Sequence, residues 1–113
     1  MTFIRNTFLA AILTVGLAGA AHALTFKDIA GKWCGLTTNY QFNRDLLIVT
    51  FLDRSPTKRF KVTSYEYSAD KVTMHWLNEG KKLFTEFSEF SADGRTMAQV
   101  KSEVGPRRPF HRC

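Results

Sequence analysis

Along most of the chain, apolar and polar residues alternate one by one in short runs broken by turn-forming residues. In residues 71–77, Val72, Met74 and Trp76 share one side while Lys71, Thr73 and His75 share the other. In residues 59–63, Phe60 and Val62 oppose Arg59, Lys61 and Thr63. A period of two is that of a strand with one buried face. The alternation slips after Val62, where Tyr65 and Tyr67 fall on the Lys61 side, and a bulge near Ser64 accounts for the slip. Residues 46–52 are apolar on both sides apart from Thr50, as befits a central strand or one covered on its outer side. Residues 83–90 admit two readings. Phe84, Phe87 and Phe90 recur every third position, which suits a helical stripe or a bulged strand; the short span between turns, following a strand, favours the strand.

Turn chemistry punctuates these runs at Asn43-Arg44-Asp45, Asp53-Arg54-Ser55-Pro56, Ser68-Ala69-Asp70, Asn78-Glu79-Gly80, Ala92-Asp93-Gly94 and Gly105-Pro106. Between them the pattern predicts strands over residues 32–37, 39–42, 46–52, 59–67, 71–77, 83–90, 96–101 and 109–113, with a short helix over 25–30 (TFKDIA) ahead of the first. Short strands with one apolar face leave unpaired groups at both edges of an open sheet, and closure removes them. The expected fold is therefore all-β, a small antiparallel up-and-down β-barrel of about eight short strands.

The segment before the helix is of another kind. Residues 1–23 have a positive start at Arg5, an apolar run over 8–17 and small residues flanking position 22 in Ala21-His22-Ala23, the three parts of a cleavable secretory signal. A membrane anchor is the competing reading, since the uncharged stretch 6–24 is barely long enough to cross the ~30 Å hydrocarbon core. Gly16, Gly19 and His22 interrupt it, and the cleavage site favours removal. The working domain is then 24–113, in the periplasm or secreted, with no stable membrane insertion after cleavage.

Of the chain's 113 residues, 44% are hydrophobic and 23% charged, an ordinary globular balance that argues against disorder. A domain of about 90 residues has a thin core and gains from a covalent staple. In an oxidising compartment Cys34 and Cys113, the two cysteines of the chain, are most simply one disulfide. A zinc site from Cys34, Cys113, His75 and His111 has suitable ligand types but none of the recognised spacings. The net charge is +6, with bases gathered at 54–61, at Lys81 and Lys82, and at Arg107, Arg108 and Arg112. Such clusters form a solvated cationic face or attract anionic surfaces; export disfavours nucleic acid as the partner.

Catalytic chemistry finds little support. No G-x-S-x-G, paired carboxylates or Gly-rich phosphate loop is present. His75 lies on the polar face of its strand, and His111 neighbours Cys113. A Cys34 nucleophile partnered by either histidine is the one enzymatic alternative. The chain is expected to be no enzyme and to use no cofactor or metal.

Gly31-Lys32-Trp33 opens the first strand just after the helical lead-in, and Arg112 lies in the terminal segment. This pattern resembles the G-x-W signature of the lipocalins and the wider calycin group, over residues 26–113. The resemblance implies structural roles for Gly31, Trp33 and Arg112: the Trp closes one end of the barrel and packs near the Arg of the last strand. With Trp33 and Arg112 pointing inward, Cys34 and Cys113 both point outward on neighbouring strands, where they could meet. The chain is much shorter than typical lipocalins and lacks their second and third motifs, which implies a shallower barrel. Its size is closer to that of the minimal eight-stranded inhibitors of bacterial secreted proteases, which also start on a G-x-W-like strand.

An interior lined by Val49, Phe51, Phe60, Val62, Met74, Trp76 and Phe87 could hold a small apolar ligand, or the domain could fill itself. Tyr40, Phe42, Tyr65 and Tyr67, with Arg54, Lys58 and Arg59 nearby in sequence, are candidates for an exposed aromatic and basic patch suited to protein recognition. The expectation is an exported, soluble, monomeric binding protein whose partner is a small apolar ligand or an envelope protein. An inhibitor of a secreted or envelope hydrolase is the alternative, and a structural envelope protein without ligand the third.

Overall fold

The computed structural model describes residues 22–102 and 105–113; the expected signal over 1–23 lies outside the described residues except for its last two positions. A single turn of helix, α1 (Phe26–Ile29), is fixed at its start by Asp28, whose carboxylate accepts from the Thr25 backbone N–H at 2.7 Å and from its hydroxyl at 3.3 Å. This is the reach-back half of a capping box. Eight strands follow: β1 (Gly31–Gly35), β2 (Thr38–Phe42), β3 (Leu46–Phe51), β4 (Lys58–Tyr67), β5 (Lys71–Asn78), β6 (Lys81–Ser88), β7 (Thr96–Ser102) and β8 (Arg108–Arg112). Each pairs antiparallel with its neighbour in sequence, and β8 pairs with β1 to close the barrel. The all-β up-and-down barrel expected from the alternation is the fold observed.

Every second residue points inward. Val72, Met74 and Trp76 of β5, Leu83 and Phe87 of β6, and Leu47 and Val49 of β3 are all buried in one core. Strand β3 lies between β2 and β4, and its outward Leu46 and Ile48 are half-buried. In β4 the register shifts between Val62 and Ser64, at the expected bulge. Beyond it Tyr65 stands opposite Met74 and points into the barrel, its hydroxyl donating to the Asn43 carbonyl at 2.8 Å.

The Phe84, Phe87 and Phe90 triplet belongs to a strand rather than a helix. Phe84 is on the outer side, Phe87 is fully buried, and β6 ends at Ser88, short of the expected limit at 90. Glu89 then takes the left-handed conformation, φ 59°, which turns the chain back so that Phe90 lands edge-on against Trp33, ring centroids 6.4 Å apart. The threefold spacing is therefore two alternating strand positions plus one residue beyond a turn. A second register shift, between Glu86 and Phe87 where they face β7, leaves no trace in the sequence pattern.

Of the exposed patch expected from Tyr40, Phe42, Tyr65 and Tyr67, only Tyr67 is exposed. Phe42 is 1% exposed, and Tyr40 stacks on Phe110 with centroids 4.7 Å apart. Both alternate with the polar Asn39 and Gln41, and it is the aromatic side that faces the core.

Candidate functional site

The two ends of the barrel differ. At the end covered by α1, Trp33 is fully buried and its indole N–H donates to the Ile29 carbonyl at 2.9 Å. The Arg112 guanidinium lies over the indole, 4.0 Å from the ring centre. It donates to the carbonyls of Ala30 and, at 3.0 Å, Asp28, and to Gly94 at 3.3 Å, satisfying acceptors that the short helix cannot pair internally. Gly31 takes φ +95°, and a Cβ there would meet Arg112 Nη1 at 3.4 Å. Gly31, Trp33 and Arg112 thus form one constellation that plugs this end.

Beside the plug, Cys34 and Cys113 are joined with their Cα atoms 5.0 Å apart, the two residues standing 79 positions apart in sequence. The bond consumes both thiols, which overturns the Cys34 nucleophile and the zinc set. His111 is exposed opposite Cys34 on the outer surface. His75 sits on the outer face of β5 with its Nε2 3.2 Å from the Glu66 carboxylate.

Among the described residues the opposite end has no counterpart of this plug. A cavity of about 140 Å³ lies there inside the barrel. Val49, Phe51, Phe60, Met74, Trp76 and Phe87 all line it, together with Leu47. Val62, expected among them, is buried in the core but does not reach the cavity. Phe60 and Trp76 meet almost edge-to-face, centroids 5.0 Å apart.

Polar side chains that the sequence did not single out complete the wall: Thr38, Tyr40, Thr85, Gln99, Ser102 and Arg108. The Trp76 indole donates to the Thr85 hydroxyl at 3.0 Å, which is 3.3 Å from that of Ser102. Gln99 accepts from the Tyr40 hydroxyl at 2.8 Å and donates to the Pro106 carbonyl at 3.3 Å, tying the β7–β8 loop to the wall. Thr38 differs from these. Its residue is 5% exposed, yet among the described residues its hydroxyl has no hydrogen-bond partner, an arrangement that costs about 1–3 kcal/mol when it persists. One signal for this wall was available: Thr85 shares parity with Leu83 and Phe87, so a polar group stood on the apolar face.

Burial raises the pKa of Tyr40, against the opposing pull of Arg108, and burial likewise raises that of Tyr65. Both groups hold their protons more tightly folded than unfolded, so their contribution to stability is complete below the ordinary tyrosine value and declines as pH rises beyond it. Unfolding free energy is expected to be flat in this respect up to about pH 10 and to fall above it. Tyr40→Phe should soften that fall in urea titrations across the alkaline range; an unchanged slope would contradict the assignment.

Comparison with protein-family models, with curated proteins and with solved structures returned no match, so the reading of the site rests on its own residues.

Proposed function

We propose that this chain is an exported, non-catalytic binding protein of lipocalin-like build, whose ligand enters the barrel at the end opposite α1. The cavity carries this reading: an apolar floor, a polar wall, and at the boundary a buried Thr38 hydroxyl with nothing to bind. The disulfide is consistent with an oxidising compartment, periplasmic or extracellular.

Size restricts the ligand. Pockets for drug-sized molecules run from about 300 Å³ upward, whereas an apolar cavity of about 150 Å³ accepts benzene. A cavity of about 140 Å³ suits one ring or a short branched chain and excludes a coiled fatty acyl tail. Titration of the labelled protein with benzyl alcohol is expected to move the Met74 methyl and Trp76 indole resonances saturably and to leave the Trp33 indole unmoved. Eight heavy atoms correspond to a Kd of roughly 0.01–10 mM. Decanoate should produce no saturable shift at the same sites. No movement at Met74 or Trp76 with any ring compound would overturn the proposal.

A protein partner is the second reading, favoured by Leu36 and Leu52, which are 81% and 53% exposed. Their loops adjoin at the open end through a hydrogen bond from Leu52 N to Thr37 O of 3.0 Å. Inhibition of an envelope hydrolase, abolished by Leu36→Asp, would support this reading over the first.

A further inference from the structure

We infer that the cavity is built for a small aromatic monocarboxylate, its ring on the apolar floor and its carboxylate between Thr38 and Arg108. The inference rests on the cavity being the binding site and adds the chemistry of the head group.

Strand β1 ends at Gly35 and turns through Leu36 and Thr37 into β2, whose first residue, Thr38, lies opposite it. On the other side Gly35 pairs with Phe110, so β8 runs two residues further toward the open end, to Arg108. Thr38 and Arg108 therefore stand on either side of the corner where β1 turns back. They line the internal cavity and also an outer crevice of about 250 Å³ formed with Leu36, Pro106 and Phe110. Thr38 and Arg108 thus stand in the partition between an apolar interior and the outside, where the head of a ring-down ligand would come to rest.

The groups at this partition are rich in donors. Arg108 is half-buried as a residue, and its guanidinium has only donors to offer. Among the described residues the carboxylate pairs are Lys71–Glu86, His75–Glu66 and Arg107–Glu89, none of which involves Arg108. Its Nη2 and the Gln99 amide nitrogen both converge on Gly105, where a Cβ would lie 3.4 and 3.7 Å from them. The Thr38 hydroxyl is unpartnered and can donate as well. A carboxylate, acceptor-only with two oxygens, matches an arginine fork and a hydroxyl together; a neutral alcohol or amide satisfies one of them and brings no negative charge to the cation.

The field around the mouth has the same sign. At the open end the bases Arg54, Lys58, Lys81 and Lys82 outnumber the acids Asp53 and Glu79, whereas at the α1 end Asp28, Asp45, Asp70, Glu89 and Asp93 are mixed with Lys27, Arg44, Arg95 and Arg112. Asp53, an acid at the open end, is turned onto its own loop by Ser55, which donates its backbone N–H at 2.8 Å and its hydroxyl at 2.6 Å. A mouth of this polarity concentrates small anions and speeds their entry.

The test compares benzoate with benzamide, which has the same ring and nearly the same shape without the charge, by NMR titration of the full protein at pH 7. Benzoate is expected to bind at least about tenfold more tightly, with shifts at Met74 and Trp76. Arg108→Gln should bring the two affinities within about twofold, and Arg108→Lys should retain part of the preference. Thr38→Val should weaken benzoate about fivefold; the melting curve of each variant checks its fold. Equal affinities for benzoate and benzamide would overturn the carboxylate inference while leaving the cavity as a binding site. A preference that survives Arg108→Gln, or benzoate shifts confined to surface lysines, would also overturn it. If neither compound moves Met74 or Trp76, the cavity itself is not a site and the proposed function falls first.

Discussion

Replacing Cys34 and Cys113 together by serine is expected to remove about 4–5 kcal/mol of folding stability. In the chain-entropy account the cost of closure grows with the logarithm of the loop, and a loop of 79 residues gives a value near the top of the usual range. A domain of this size holds about 5–13 kcal/mol in all, so the loss is a third or more of the total. The position of the bond adds to its importance. Strands β1 and β8 share the shortest ladder in the barrel, Trp33 to Arg112, Cys34 to His111 and Gly35 to Phe110, and that ladder alone converts an open sheet into a closed one. Without the bond the first and last strands can separate and expose pairing edges. The urea midpoint should therefore fall by about 4–5 M for a slope near 1 kcal/mol/M, and the reduced wild-type protein should behave as the double serine variant does. A loss below about 1 kcal/mol would mean that the seam holds by hydrogen bonds and packing alone.

Trp33→Ala is expected to cost a further 3–5 kcal/mol, the usual range for emptying a fully buried aromatic site. The indole fills the α1 end of the barrel, anchors the helix through the Ile29 carbonyl and supports Arg112. Removing it leaves a void under the plug and strips the guanidinium of its π-face, worth about 0.5–2 kcal/mol. Combined with Arg112→Gln in a double-mutant cycle, the coupling should fall in that range, because glutamine removes the cation from the indole face. The plug is remote from the open cavity, so any folded fraction should bind ring compounds as wild type does. A loss under about 1 kcal/mol, or a change in ligand affinity at unchanged fold, would contradict the division of the barrel into a structural end and a binding end.

Much of this architecture was legible because strand alternation is a one-dimensional signal. Val72, Met74 and Trp76 declare their face without any tertiary information, and the phase slip after Val62 locates a bulge to within a residue. The G-x-W triplet and Arg112 placed the plug, and the parity of Cys34 and Cys113 beside them placed the staple. What failed did so for identifiable reasons. Tyr40 and Phe42 were read as surface aromatics because nearby bases suggested a patch, although their alternation with Asn39 and Gln41 pointed the other way. Phe90 looked like part of a periodic stripe because a left-handed Glu89 cannot be inferred from the residue type. Thr38, Thr85 and Gln99 were passed over because polar residues are assigned outward by default, and a polar wall inside a barrel breaks that default. The volume of the cavity was not legible at all, since it depends on how Phe51, Phe60 and Trp76 lean against one another rather than on which residues face inward.

The central claim is that the barrel is plugged at the α1 end and hollow at the other. Diffraction from crystals held under xenon pressure tests it most directly, because xenon enters apolar cavities of this size without needing a polar partner. The account predicts one dominant anomalous peak between Val49, Met74, Trp76 and Phe87 and none beside Trp33. An interior without a peak, its side chains closed over the space, would contradict it.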